Sequence, residues 1–190
     1  MLKLVATLAL LIAGPVAASA RPVHIVAFGD SATAGYLVPR QQAYPSQLQA
    51  ALRKKGYDVV VDNAGVSGET TAGALKRFDS AIAPGTDIAI VEFGINDLRH
   101  RVPPQRMRAN LDEIVRTLRK RGIAVLVIGL GRLDLSDVAR AHDVPYAQWR
   151  LPAGKCRARD GVHFNAEGYA LLVARMLPQV ETLMKRVSRR

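Results

Sequence analysis

A serine that attacks a carbonyl needs a base beside it, a group that orients the base, and donors where negative charge develops. The chain offers a candidate for each part. Ser31 follows an apolar run, residues 23–28, and Gly29-Asp30, where it could open a helix. His163 is the natural base. Asp160, three residues earlier on the same turn, can accept a bond from the other imidazole nitrogen, which fixes the tautomer and stabilises the imidazolium. The backbone N–H groups of Ser31 and Gly65 and the side-chain amide of Asn96 could meet as donors to an oxyanion. Gly65 has no Cβ to prevent a close backbone approach. The chemistry this set points to is acyl transfer through a serine.

Each residue alone has a plainer role. Ser31 could cap a helix, His163 could be a surface-loop histidine, and Asn96 could shape a turn. Asp30 and Asp97 read as loop holders that accept from backbone N–H groups. His24, His100 and His142 lack partners in sequence and read as structural or solvated. Trp149 reads as a core or interface aromatic. Cys156 stands among basic residues that favour its thiolate, but nothing else marks it as catalytic. A single cysteine excludes an internal disulfide and a thiolate zinc site, and no metal or cofactor is expected.

Alternating elements would position these residues. Short apolar runs at 23–28, 59–61, 88–93 and 123–128 predict buried strands, with a weaker candidate at 144–147. Between them, apolar spacing predicts helices over 43–55 and 71–82, and from Pro103-Pro104 to about 121. A short helix is expected over 134–142, and a final one over 165–185 capped by Asn165. Residues 62–70 read as loop. This order predicts an α/β fold: a three-layer α/β/α sandwich on a parallel, flavodoxin-like sheet of four to five strands. Such sheets bind ligands beyond the carboxyl ends of their strands, where the candidate residues fall.

Four segments then carry a resemblance: the run from Phe28 to Tyr36, the run from Asn63 to Thr71, Gly94-Ile95-Asn96-Asp97, and Asp160-Gly161-Val162-His163. Together they resemble the blocks of the SGNH hydrolases, or GDSL esterase/lipase family. The first half is most similar to the bacterial thioesterase/lysophospholipase and arylesterase branch. The resemblance runs from about 23 to 174. It implies Ser31 as nucleophile, Asp160 and His163 as the rest of the triad, and Ser31, Gly65 and Asn96 as oxyanion hole. It also implies a small-molecule acyl ester or thioester as substrate. Three departures stand out: Ala32 where the family usually has Leu, Phe164 where it often has Pro, and a short 129–159 region without a Pro pair. The part that would select a long acyl chain is thus expected to be reduced. A carbohydrate or small aryl-ester deacetylase with the same triad stays open, as does a non-catalytic module with a basic surface.

The chain has 190 residues, a formal net charge of +11 and 49% hydrophobic residues, so it is neither disordered nor collagen-like. Lys3, the uncharged run 4–13, Gly14-Pro15 and Ala18-Ser19-Ala20 have the layout of a secretory signal peptide. Residues 1–20 are therefore expected to be removed and the chain exported, to the periplasm if the family resemblance holds. Residues 21–185 form the expected hydrolase domain and 186–190 a basic tail. A monomer is expected. The positive charge admits weak contact with an anionic lipid surface around Arg99-His100-Arg101, which otherwise reads as a solvated face. Aromatics are too few, at 5%, to suggest nucleic-acid binding.

Overall fold

The computed structural model describes residues 21–150 and 154–188. The expected signal segment, residues 1–20, lies outside the described residues. Five parallel strands form one sheet: β1 (Val23–Gly29), β2 (Val59–Gly65), β3 (Ile88–Glu92), β4 (Ala124–Leu130) and β5 (Tyr146–Trp149). Their order is β2-β1-β3-β4-β5. The winding direction reverses between β1 and β3, and a crevice opens at such a reversal. The register puts Gly29 level with both Gly65 and Glu92, so three strand ends finish side by side.

Helices cover both faces. One core packs β1, β3 and β4 against α2 (Tyr44–Lys54) and α8 (Ala166–Val187), through Leu48, Leu52, Tyr169, Leu172 and Met176. The other face holds α3 (Thr71–Lys76), α4 (Phe78–Ala81), α6 (Pro104–Lys120) and α7 (Ser136–Ala141). Helix α6 presents Met107, Leu111, Ile114, Val115 and Leu118 as one buried stripe, and Pro104 opens it, where the missing N–H is not needed. Two short helices lie at the crevice, α1 (Ser31–Ala34) and α5 (Ile95–Arg99). The three-layer parallel sheet is the fold expected, with the upper number of strands.

The boundaries differ where polar residues enter regular structure. Strand β2 continues through Asp62, Asn63, Ala64 and Gly65, expected as loop, because these residues pair along β1 at the edge of the sheet. The helix expected over 71–82 breaks at Arg77, whose side chain turns back beneath the crevice. Helix α8 runs to Val187, past the start of the expected tail. Its Asn165 cap is as expected: Oδ1 accepts from the Gly168 N–H at 2.9 Å. His24 and His142 do have carboxylate partners, contrary to expectation. They lie 2.6 Å from Asp62 and 2.7 Å from Asp112, pairings between distant segments that only the fold creates.

Candidate active site

Asp30 caps α1: its Oδ1 accepts from the Ala32 N–H at 3.0 Å, so Ser31 is the first helical residue and not the cap. That fixes Ser31 at the end of β1, beside the crevice. From the far end of the chain, the 154–165 loop brings His163 to it, with Nε2 3.0 Å from Ser31 Oγ. The other ring nitrogen, Nδ1, lies 2.5 Å from Asp160 Oδ2. Asp160 Oδ1 accepts from the Val162 and His163 N–H groups at 3.0 Å each, so one carboxylate holds both the loop and the ring. These bonds, that from His163 first, hold the Asp160 carboxyl down to about 2. The Tyr36 ring lies against the imidazole with centroids 4.8 Å apart.

The three candidate oxyanion donors come from three strand ends. Gly65 sits where an added Cβ would lie 2.2 Å from the Ala34 nitrogen, so the strand and α1 approach only because the residue is glycine. Its N–H donates to Asn63 Oδ1 at 3.0 Å. Asn96 follows Gly94, whose φ of +115° turns β3 sharply into α5. The Asn96 amide donates to Asp30 Oδ2 and to the Glu69 carbonyl, at 3.0 Å each. Both of its hydrogens are engaged, so an oxyanion placed there would share one of them.

Beneath these residues lies a polar layer that sequence reasoning missed. Arg77 donates from Nε to both Glu69 carboxylate oxygens at 2.8 Å, and from Nη2 to the Ala64 carbonyl at 2.9 Å and the Gly29 carbonyl at 3.4 Å. Its guanidinium also lies over the Phe28 ring. Glu92 is fully buried and accepts from Thr33 Oγ1 at 3.0 Å. Burial raises the Glu92 carboxyl well above its ordinary range, and the nearby charge of Asp30 adds to this. Burial raises Asp30 as well. Asp97 accepts from the Thr71 N–H at 2.9 Å and the Thr71 hydroxyl at 2.6 Å, the loop-holding role expected of it. The only sequence signals for this layer were charged residues inside otherwise apolar or helical runs.

Above it, an open cavity of about 330 Å³ is lined by Ser31, Tyr36, Ser67, Gly68, Asn96, Arg99 and His163. The described residues of the 129–159 region, expected to hold a reduced substrate loop, contribute nothing to this wall. Leu133, Leu135 and Val138 pack back into the core instead. Trp149 is buried and the Cys156 thiol is buried and free. Among the described residues no cluster of His, Cys, Asp and Glu could hold a metal ion.

A nucleophile, base and orienter in hydrogen-bond sequence, at the switch point of a doubly wound sheet, define the arrangement of a serine hydrolase. The family model of the GDSL-like lipase/acylhydrolases matches residues 27–171, and the chain belongs to that family. An arylesterase of Vibrio mimicus is 34% identical over 113 residues, 59% of this chain and 56% of the relative. Esterase TesA of Pseudomonas aeruginosa is 32% identical over 107 residues, 56% of this chain and 53% of the relative. The chain thus spans about half the length of these curated relatives. Among solved structures, that of AlinE4, an SGNH-hydrolase family esterase, matches with a TM-score of 0.68 and 30% identity, over 87% of this chain and 98% of that one. A crystal structure of TesA shares the fold, with a TM-score of 0.76 and 24% identity over 84% of this chain and 99% of that one.

Proposed function

We propose that the chain is a serine esterase that cleaves carboxylic esters through an acyl-Ser31 intermediate. The observation that carries this reading is the continuous contact from Ser31 Oγ through the His163 ring to Asp160. In the first step His163 Nε2 takes the hydroxyl proton as Ser31 Oγ bonds to the substrate carbonyl carbon. The carbonyl oxygen becomes an anion, shared among the Ser31 and Gly65 N–H groups and the Asn96 amide. As the carbon–oxygen bond to the alcohol breaks, His163 returns the proton to the departing oxygen. Water then attacks the acyl-serine, gives its proton to His163, and the acid leaves as Ser31 recovers its hydrogen. Asp160 stays ionised throughout and steadies the imidazolium.

The related arylesterase and esterase TesA support ester cleavage as the reaction class. The open cavity, to whose wall no described residue of the segment after β4 contributes, favours short acyl groups, as in acetyl or small aryl esters, over long chains. Thioesters and lysophospholipids belong to the same proposal, since they need only the same attack on a carbonyl. Export, with release of residues 1–20, is proposed from the layout of the N-terminal segment.

The test is hydrolysis of p-nitrophenyl esters, from acetyl to palmitoyl, by the chain and by Ser31→Ala. Serine-dependent turnover falling off with acyl length is expected. Equal rates for chain and variant would defeat the assignment.

A further inference from the structure

Among the described residues, five large apolar side chains are exposed: Tyr36, Val66, Leu98, Val162 and Leu171. Four of them stand in the separate segments that carry the site. Tyr36 lines the cavity, Val66 follows Gly65, Leu98 is two residues past Asn96 on α5, and Val162 precedes His163. Val162 is the most exposed, at 58%. Its loop is held outward by Arg157, whose Nη1 donates to the Val162 carbonyl at 2.6 Å while the guanidinium lies over Phe164. A single exposed valine needs no explanation, but four exposed apolar side chains in the segments that supply the lining of one cavity do.

The unpaired charge around that mouth is mainly positive. Arg99 lines the cavity itself, and Arg101 follows it. A broad cleft of about 760 Å³ lies against the 154–165 loop, between Leu37 and Val38 on one side and Lys155, Arg157 and Arg159 on the other. Among the described residues, the side chains of Arg99, Arg101, Lys155 and Arg159 find no ion-pair partner. The carboxylates near the mouth are already engaged: Asp160 by His163, and Glu69 by Arg77. Among the described residues, Glu167, at the start of α8, is the one acidic side chain lining the cleft. Apolar side chains ringed by unpaired cations match a surface with a negative outer layer over an apolar interior.

We propose that the rim formed by Tyr36, Val66, Leu98 and Val162, with Arg99 and the 155–159 cations beside it, docks the open cavity onto an anionic phospholipid surface. The four apolar side chains enter the interface, the cations meet headgroup phosphates, and the mouth faces the lipid. The docking would deliver esters held in such a surface, and in that use it rests on the esterase reading. Binding itself does not need turnover.

The test uses Ser31→Ala in residues 21–190, which contain every strand and helix described, co-sedimented with phosphatidylglycerol or phosphatidylcholine vesicles. Binding to phosphatidylglycerol at least about tenfold tighter, and weakening steeply from 50 to 500 mM salt, is expected. Val66→Ser with Val162→Ser, and separately Lys155→Gln with Arg159→Gln, should each weaken it several-fold, with near-UV circular dichroism confirming the fold. Equal affinity for both vesicles, or binding indifferent to the valine changes, would overturn the proposal. So would concentration-dependent dimerisation abolished by the valine changes, which would assign the rim to a second copy. Loss of ester turnover in the unmutated chain with docking intact would sink the esterase reading and leave this surface standing.

Discussion

Arg77 and Glu69 form a two-oxygen pair directly beneath the candidate oxyanion hole, with Nε 2.8 Å from each carboxylate oxygen. The pair joins more than two side chains. Arg77 also holds the carbonyls of Gly29, just before Asp30-Ser31, and of Ala64, just before Gly65. The carbonyl of Glu69 receives the Asn96 amide. One guanidinium therefore ties together the three segments that carry the candidate oxyanion donors.

Replacing Arg77 tests that reading. Arg77→Gln leaves the Glu69 carboxylate, only 9% exposed, without its partner, and frees two carbonyls. A loss of about 2–3 kcal/mol in stability is expected, below the value for a fully buried pair because Arg77 keeps some contact with solvent. The kinetic effect should fall mainly on kcat, by ~10-fold or more, since the donors shift where charge develops while the cavity walls remain. Arg77→Lys keeps the charge but not the planar fork and should recover only part of both. Urea unfolding and steady-state kinetics on p-nitrophenyl acetate separate these effects. A rise in KM with unchanged kcat would contradict the positioning role.

The parts that could be read from the sequence are those with short-range signals. The strand at 23–29 was visible because its apolar residues are buried from both sides. Ser31, Gly65, Asn96, Asp160 and His163 stood out because each follows a strand or precedes a helix in a parallel order. What stayed hidden depends on pairing between distant segments. Arg77 lay inside an expected helix, and only the fold shows its side chain reaching the ends of β1 and β2. Glu92 looked like one polar residue in an apolar strand, and its partner Thr33 is 59 residues away. His24 and His142 gave no local hint of Asp62 and Asp112. Asp62 to Gly65 carry loop-type residues, yet β1 supplies them with a ladder.

Glu92 gives a prediction about pH. Its folded-state carboxyl titrates well above the ordinary value, because burial disfavours the charged form. Below about pH 4 the carboxyl is protonated in folded and unfolded chain alike, and contributes no pH dependence. Above that, the unfolded chain releases the proton while the folded chain keeps it. Stability contributed by this group therefore falls as pH rises, by up to about 1.4 kcal/mol per unit, until the folded carboxyl itself ionises. Asp30, raised in the same direction by burial, adds to the fall. Glu92→Gln removes one of the two titrations while keeping an acceptor for Thr33 Oγ1. Urea unfolding at pH 4.5, 6, 7.5 and 9 should show the variant gaining on the parent as pH rises. Parallel curves would mean that Glu92 does not retain its proton in the folded chain.

Gly65 tests whether the contact between β2 and α1 is needed for the reaction as well as for packing. A methyl group there meets the Ala34 nitrogen at 2.2 Å, the Ala34 Cα at 2.6 Å and the Thr33 carbonyl carbon at 2.7 Å. These are backbone atoms of the helix that carries Ser31, so no side chain can turn aside to make room. Either β2 or α1 must move, and Ser31 and Gly65 then separate. Overpacking of this kind costs about 1–3 kcal/mol. Moving this candidate oxyanion donor away from the proposed nucleophile should cost ~10²-fold or more in kcat. Gly65→Ala is therefore expected to remain folded at 25 °C with a lowered melting temperature, and to be nearly inactive on every ester the parent cleaves. A phosphonate that labels Ser31 gives a second reading. Its bonded oxygen takes the place of the oxyanion, so labelling should slow in parallel with kcat. Normal labelling with lost turnover would place the effect on deacylation and not on the approach of these two strand ends.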